Sequence, residues 1–474
     1  MAETRTLTEH DLPWDREQRS RERADWQVII AWSFDEPERI GQSAIVSDGA
    51  VLGRGAAQAD DGGVRLVFHQ RRPGLAKPTG PLAAPRLSRV QLRFKPKPDG
   101  TLEVRSVGRC PMSIRGEELE SVDAEDGDVI VLRNALVLYV ARRPAHLALR
   151  AKAAPFEFGA ADAYGVVGES TAAWQLRDEI AIAARSPHHV LVRGPSGAGK
   201  ELAARAIHGL SHRGDKPIVA RNSATFPAGL VDAELFGNAK NYPHSGSPER
   251  PGLVGEADGT SLFLDEIGEL PEELQARLLR VLDRDGEYQR LGESKVRHSD
   301  MRVIAATNRP LESLKHDVLA RFGARIEIPP LSERREDVPL LARHVLARFE
   351  REAPEVTGRF FEKRGAESHP RLDPRLIEAL LRHEFTLQLR ELERLLWLAI
   401  SSSREDFIAL TPEVSAELKL AEPARETERE PTADEIRDAL AKHGVSEAAK
   451  RLGVKSRYAL YRLMKRHGIA AREE

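Results

Sequence analysis

The chain is poor in sulfur and in aromatic rings. One cysteine, Cys110, and four methionines occur in 474 residues, and Phe, Trp and Tyr together make up 5%. A lone cysteine excludes an internal disulfide framework and fits a reducing cytoplasm. An excess of either charge is missing too: 72 Lys and Arg stand against 74 Asp and Glu. Any affinity for nucleic acid must then come from a local patch. Nor is there a long hydrophobic run. The longest, "DVIVLRNALVLYVA" (128–141), is broken by Arg133 and Asn134 and is too short to span a bilayer. It is expected to form two strands around a turn. The N-terminal stretch "MAETRTLTEHDLPWDREQRSRERADW" has no apolar core, so no secretory signal is expected.

What is present points to a folded soluble chain: 41% apolar and 31% charged residues, with length for about three domains. Residues 1–24 are charged and read as a flexible arm. Residues 25–143 carry short β runs such as "WQVIIAWSF", "VRLVFH" and "VQLRFKP" separated by turn signals, as an all-β sandwich requires. The Pro-rich piece "RRPGLAKPTGPLAAPR" (71–86) reads as a long inserted loop, and 144–160 as a linker. Over 161–330 apolar strands alternate with helical stretches, the pattern of a parallel α/β sheet. Residues 331–410 read as helical. A Glu- and Pro-rich linker (411–431) leads to a small basic all-α unit (432–474).

The chemistry concentrates in the α/β part. "VLVRGPSGAGKELAARAIHGL" is a strand, a glycine-rich turn and an amphipathic helix. Gly194, Gly197 and Gly199 let backbone N–H groups wrap phosphates at a helix N-terminus, and Lys200 reaches the β- and γ-phosphates. Glu201 stands where the strict pattern has Ser or Thr. "SLFLDEIGEL" is an apolar strand ending in two carboxylates. Asp265 suits holding Mg²⁺ and Glu266 suits activating water. "MRVIAATNRP" ends in Asn308, placed to orient that water or to cap a turn.

The run of blocks "VVGES", "ELAARAIH", "AELFG", "LFLDEIGELP", "RVIAATNR", "PPLSERREDVPLLARHVL" and "LRELERLL" resembles the AAA+ domain of bacterial enhancer-binding proteins, the sigma-54-dependent activators. It covers about half the chain, and the blocks fall in the family's order. The family also writes Glu after the loop Lys. The resemblance implies ATP and Mg²⁺, assembly into a homo-oligomeric ring such as a hexamer, and remodelling of RNA polymerase carrying sigma-54. Val167, Ser196 and Ala198 fall at nucleotide-binding positions beside the loop residues already named. Asn222 matches the residue that holds the catalytic Glu266, and Arg390 matches the lid's nucleotide sensor. Of the two arginines that reach a neighbour's site, Arg321 matches one and Lys315 replaces the other. The lid reads "FTLQLREL" where the family has a Pro-Gly-Asn turn. The family's sigma-contacting hexapeptide, Gly-Ala-Phe-Thr-Gly-Ala, is replaced at unchanged spacing by Asn241, Tyr242, Pro243, His244, Ser245 and Gly246.

The order of "VLGRG", "LSRVQLRF" and "EVRSVGRCPMSIRGEEL" resembles a forkhead-associated (FHA) sandwich, a phosphothreonine reader. Arg54, Ser88 and Arg89 would contact phosphate, implying a phosphopeptide or kinase partner. Gln91 takes the place of the family's His, and the alternative is a sandwich that keeps the fold without reading phosphopeptides. The C-terminal unit resembles a Fis-type helix-turn-helix, whose third helix offers Lys455, Ser456, Arg457, Tyr458, Arg462, Lys465 and Arg466 to DNA. Three functions remain open: a DNA-tethered ATPase that opens promoters; a nucleotide-sensing DNA-binding regulator or repressor with weak ATPase and no sigma-54 contact; and a regulator acting through the housekeeping sigma factor.

Overall fold

The computed structural model describes residues 24–56, 62–145, 147–151, 154–227, 229–365, 367–419, 433–442 and 464. They fall into two compact units, Met1–Leu418 and Lys419–Glu474. In the second, a helix spans Ala433–Lys442, with Ile436 and Met464 buried. The expected DNA-binding residues Lys455–Arg462 and Lys465–Arg466 lie outside the described residues.

The larger unit begins with a β-sandwich. One sheet has eight strands, with Leu136–Pro144 between Val129–Leu132 and the long strand Ala24–Ser33. The other has five, centred on Leu92–Pro96. Side chains alternate across a strand, and here both faces are covered. Val28, Ile30, Ile130, Leu132, Leu136 and Leu138 enter the sandwich core. Ile29, Ala31, Val129, Val131, Val137 and Tyr139 enter a second core shared with the helical lid. This is why "DVIVLRNALVLYVA" is nearly unbroken: an antiparallel sheet with one wet face would alternate apolar and polar residues. The two strands meet at Asn134, which takes a left-handed φ of 54°.

The expected long loop at 71–86 is a hairpin over its first half. His69–Arg72 pairs with Leu75–Pro78, and Pro73-Gly74 makes the two-residue turn, Gly74 having φ 70°. Proline sets the first turn angle and glycine accepts the positive second one. Further along, Phe156 and Glu157 of the expected linker are held by Arg72.

The α/β domain holds a parallel five-stranded sheet in the order Val219–Asn222, Ser261–Asp265, Arg302–Thr307, Val190–Arg193, Ala324–Glu327. Arg302 is buried at the start of its strand, where it donates to the carbonyls of Ala183, Ala184 and His188. It thereby caps the last turn of helix Thr171–Arg185, whose carbonyls have no partner within the helix.

The lid packs helices Val338–Glu352, Pro374–Arg382 and Gln388–Ser402 around Leu340, Leu376, Leu380, Leu392 and Leu396. Two features depart from an all-helical lid ending at 410. A hairpin, Phe361–Arg364 with Glu367–Pro370, hooks onto the sandwich: Arg364 donates to the carbonyls of Asp35 (2.6 Å) and Phe34 (3.0 Å). A last helix, Pro412–Glu417, follows Thr411, whose Oγ accepts the Val414 N–H, so the lid reaches into the expected linker. Among the described residues, no helix is long and apolar enough to cross a membrane.

Candidate functional site

The candidate site forms at the C-terminal ends of the parallel strands, where open α/β sheets bind ligands. Val190–Arg193 runs into the loop Gly194–Gly199, and helix Lys200–Gly209 begins immediately after. Gly199 has φ 105° and Gly197 φ 80°. A Cβ at Gly197 would stand 2.5 Å from the carbonyl oxygen of Leu387, so only glycine fits there. No side chain caps the helix N-terminus. Its first N–H groups therefore point into the loop's cradle, which suits an anion. Lys200 is buried, with Nζ 3.2 Å from the Gly194 carbonyl and 3.4 Å from Glu266.

Strand Ser261–Asp265 delivers the two carboxylates. Glu266 turns away with φ 51°, a left-handed conformation stored at a site where a side chain must be aimed. Its carboxylate accepts the Asn308 N–H at 3.1 Å. Burial, and then the neighbouring Glu266, push the Asp265 carboxyl up from its ordinary range, while Lys200 opposes them. Asn222 was expected to hold Glu266, but the structure pairs it with Asp265, Nδ2 donating to Oδ2 at 3.1 Å. The cause is register: Asn222 and Asp265 are direct partners on adjacent parallel strands, and Glu266 lies one residue beyond.

The lid closes over the loop. Arg390 donates to Ser196 Oγ at 3.1 Å, and the Leu389 N–H to the Gly197 carbonyl at 3.3 Å. The lid turn is held by its own side chains. Gln388 takes φ 53°, and its side chain donates to the Phe385 carbonyl and accepts the Leu331 N–H. Glu391 accepts the N–H groups of Thr386 and Leu387 ahead of the same helix. Beside the loop a narrow cleft is lined by Val166, Val167, Gly199, Leu202, Leu341 and Leu389.

Other expected residues lie apart. Glu201 is exposed and ion-paired with Arg205 at 2.7 Å. Arg321 pairs with Asp283 at 2.6 Å, and Lys315 with Glu272 at 3.8 Å, both on the surface. Positions 241–246 are all exposed, between helices Val231–Phe236 and Gly252–Glu256. This tip is ordered from below. Asn238 Nδ2 lies within reach of the carbonyls of Ala239, Tyr242 and Pro248, and the Tyr242 ring packs on Gly292. In the sandwich, the Arg54 N–H donates to the Ser88 carbonyl at 3.0 Å, and Ser88 Oγ accepts the Arg109 N–H at 2.9 Å. Arg89 is exposed next to them. Buried Gln91 organises this corner, bonding Cys110 through its main-chain N–H and carbonyl.

Sequence reasoning missed four residues around the cleft: Arg72, Glu169, Arg334 and Asp337. Asp337 accepts the N–H groups of Glu169 (2.7 Å) and Ser170 (2.9 Å) and the Ser170 hydroxyl. Arg334 is buried, with Nη2 3.4 Å from the Ala198 carbonyl. The signal for Arg334 and Asp337 was a run of five charged residues, "ERRED" (333–337), directly before an apolar helix.

A glycine cradle, a buried lysine, paired carboxylates at a strand end and a lid arginine together define an AAA+ nucleotide-site domain. Residues 166–323 match the model of the sigma-54 interaction domain. The transcriptional regulatory protein ZraR of Escherichia coli K12 is 37% identical over 322 residues, spanning 64% of this chain and 69% of that protein. The Nif-specific regulatory protein of Bradyrhizobium diazoefficiens is 41% identical over 238 residues, spanning 49% of this chain and 38% of that one. Among solved structures, NtrX from Brucella abortus in complex with ATP is 31% identical, with a TM-score of 0.46 over 64% of this chain and 69% of its own. The chain belongs to the family of sigma-54-type transcriptional regulators.

Proposed function

We propose that the protein is an ATP-hydrolysing transcriptional regulator that works as a ring on DNA and remodels RNA polymerase carrying sigma-54. The observation that carries this reading is the convergence of Lys200, Asp265, Glu266 and Arg390 on one glycine loop. Loop N–H groups and Lys200 would bind the phosphates, and Arg390 would report their presence to the lid. Asp265 is the residue to hold Mg²⁺. Bound there, Mg²⁺ supplies neutralisation of phosphate charge. Glu266 would take the proton of the attacking water, and its tie to the Asn308 N–H keeps it at the strand end. Arg321, exposed at the end of helix His316–Arg321, and Lys315, partly exposed at its N-cap, would complete a neighbour's site. The lysine keeps the charge but loses the two-pronged geometry. DNA tethering would come from 432–474, and phosphopeptide gating from the Arg54, Ser88 and Arg89 corner of the sandwich.

The test is multiple-turnover ATPase measured against protein concentration. A rate per subunit that rises with assembly and vanishes in Lys200→Ala is expected. A flat profile counts against the ring. One observation favours a second reading, a nucleotide-sensing regulator that does not touch sigma-54: the exposed tip carries Tyr242, Pro243 and His244 in place of the contact hexapeptide. Grafting that hexapeptide onto 241–246 separates the two. Sigma-54 binding by the native chain supports the first; binding by the graft alone supports the second.

A further inference from the structure

One side chain of the sandwich binds a segment that leads into the nucleotide cleft. Arg72 ends strand His69–Arg72 and points out of its own domain. Its Nε and Nη2 donate to the Glu169 carboxylate, at 3.1 Å to Oε2 and 2.5 Å to Oε1. Nη1 donates to the Phe156 carbonyl (2.6 Å) and Nη2 also to that of Glu157 (2.9 Å). The guanidinium lies 4.2 Å from the Phe156 ring centroid, and that ring stacks on Trp174. Glu169 is 4% exposed and also accepts from Trp174 Nε1 and the Gly159 N–H.

Glu169 belongs to a short segment held from two sides. Its backbone N–H and that of Ser170 are bound by Asp337 of the lid, while its side chain is bound by Arg72 of the sandwich. Val166 and Val167, at the other end of the same segment, form a wall of the cleft beside Gly199 and Leu389. The carbonyls of Val166 and Gly168 both accept from Arg177, at 2.8 and 2.9 Å, which braces the segment from Val166 to Glu169 as one piece. Removing one member of a buried ion pair leaves the other charge uncompensated, and the segment must then shift to solvate it.

We infer that Arg72 is a positioning residue for the base of the nucleotide, acting through Glu169 on Val166 and Val167, so that the sandwich is a built-in part of the nucleotide site. This rests on the nucleotide reading above. The phosphate loop is held by its own glycines, the lid turn and Arg334, none of which is among the contacts of Arg72, so Arg72 governs recognition of the base and not of the phosphates.

The experiment measures dissociation constants of the full chain for ATP and for inorganic tripolyphosphate, which has no base. Arg72→Ala is expected to weaken ATP by about 2- to 30-fold and to leave tripolyphosphate unchanged. Arg72→Lys, which keeps charge but not the fork, falls between. Arg364→Ala cuts a sandwich–lid contact on the lid hairpin, outside the cleft lining, and is expected to alter neither affinity. If both ligands weaken equally in Arg72→Ala, if neither changes, or if Arg364→Ala has the same ATP-selective effect, the inference is overturned. Should Arg72→Ala fail to fold, the ratio of the two affinities in Arg72→Lys decides alone. Lys200→Ala separates the underlying reading, because loss of both ligands there supports a nucleotide site whatever Arg72 does, and retention of both removes it.

Discussion

At the scale of single residues, the site is a set of charges kept where water would otherwise separate them. Glu266 is positioned but not sealed, so Glu266→Gln is expected to bind ATP as the wild type does. Hydrolysis should fall by about 10²- to 10⁴-fold, the usual weight of a general base, measured as steady-state phosphate release. His189 makes a separate prediction. Burial holds its imidazole neutral, with a pKa lowered to about 4 against an ordinary 6.5, and the ring accepts the Val303 N–H at 2.9 Å. Its folded value lies below its unfolded one, so its contribution is complete above pH 6.5 and lost as pH falls toward 4. That loss is on the order of 3 kcal/mol. Urea midpoints taken across this range should fall less steeply in His189→Asn, which retains an acceptor. The pair of carboxylates beside Lys200 was legible because an apolar strand ended in two acids. The partner of Asn222 was not, because which carboxylate it meets depends on the register of two parallel strands far apart in sequence.

At the scale of elements, the glycine loop and the lid turn form one joint. Gly197→Ala would bring a methyl against the Leu387 carbonyl and strain a φ of 80°. It is expected to cost about 1–3 kcal/mol of stability and to weaken ATP binding, both readable in one thermal-shift titration with ATP. The same scale shows what the pattern carried. The unbroken apolar run at 128–141 meant two covered faces, and the Pro73-Gly74 dipeptide marked a hairpin turn inside what composition alone made a loop. The lid hairpin left little trace, since "FEKRGAESHP" is polar and its pairing is satisfied by backbone bonds rather than side-chain periodicity.

At the scale of the larger unit, the domains suggested by sequence are not independent beads. Ile29, Val131 and Val137 of the sandwich share a core with Leu340, Leu376 and Leu380 of the lid. Each such buried side chain contributes about 1.5–3 kcal/mol. A fragment of residues 145–418 would carry the lid's apolar face into water. It is expected to aggregate or to melt well below the chain that keeps its sandwich, as light scattering and differential scanning calorimetry would show. Sequence suggested separate parts but not this union, because the residues that make it also read as ordinary core positions of each part.

The shared core has a mechanical consequence. Were the lid to turn, a sandwich sharing its core would have to turn with it as a lever arm, against the tie of Arg72 to Glu169. A small rotation of helix Pro374–Arg382 about the nucleotide cleft would sweep the sheet edge at Ser121–Ala124, on the sandwich's second layer, through a wider arc. Whatever grips the sandwich from outside would then feel each stroke of the lid as a displacement, and by pulling back would resist it.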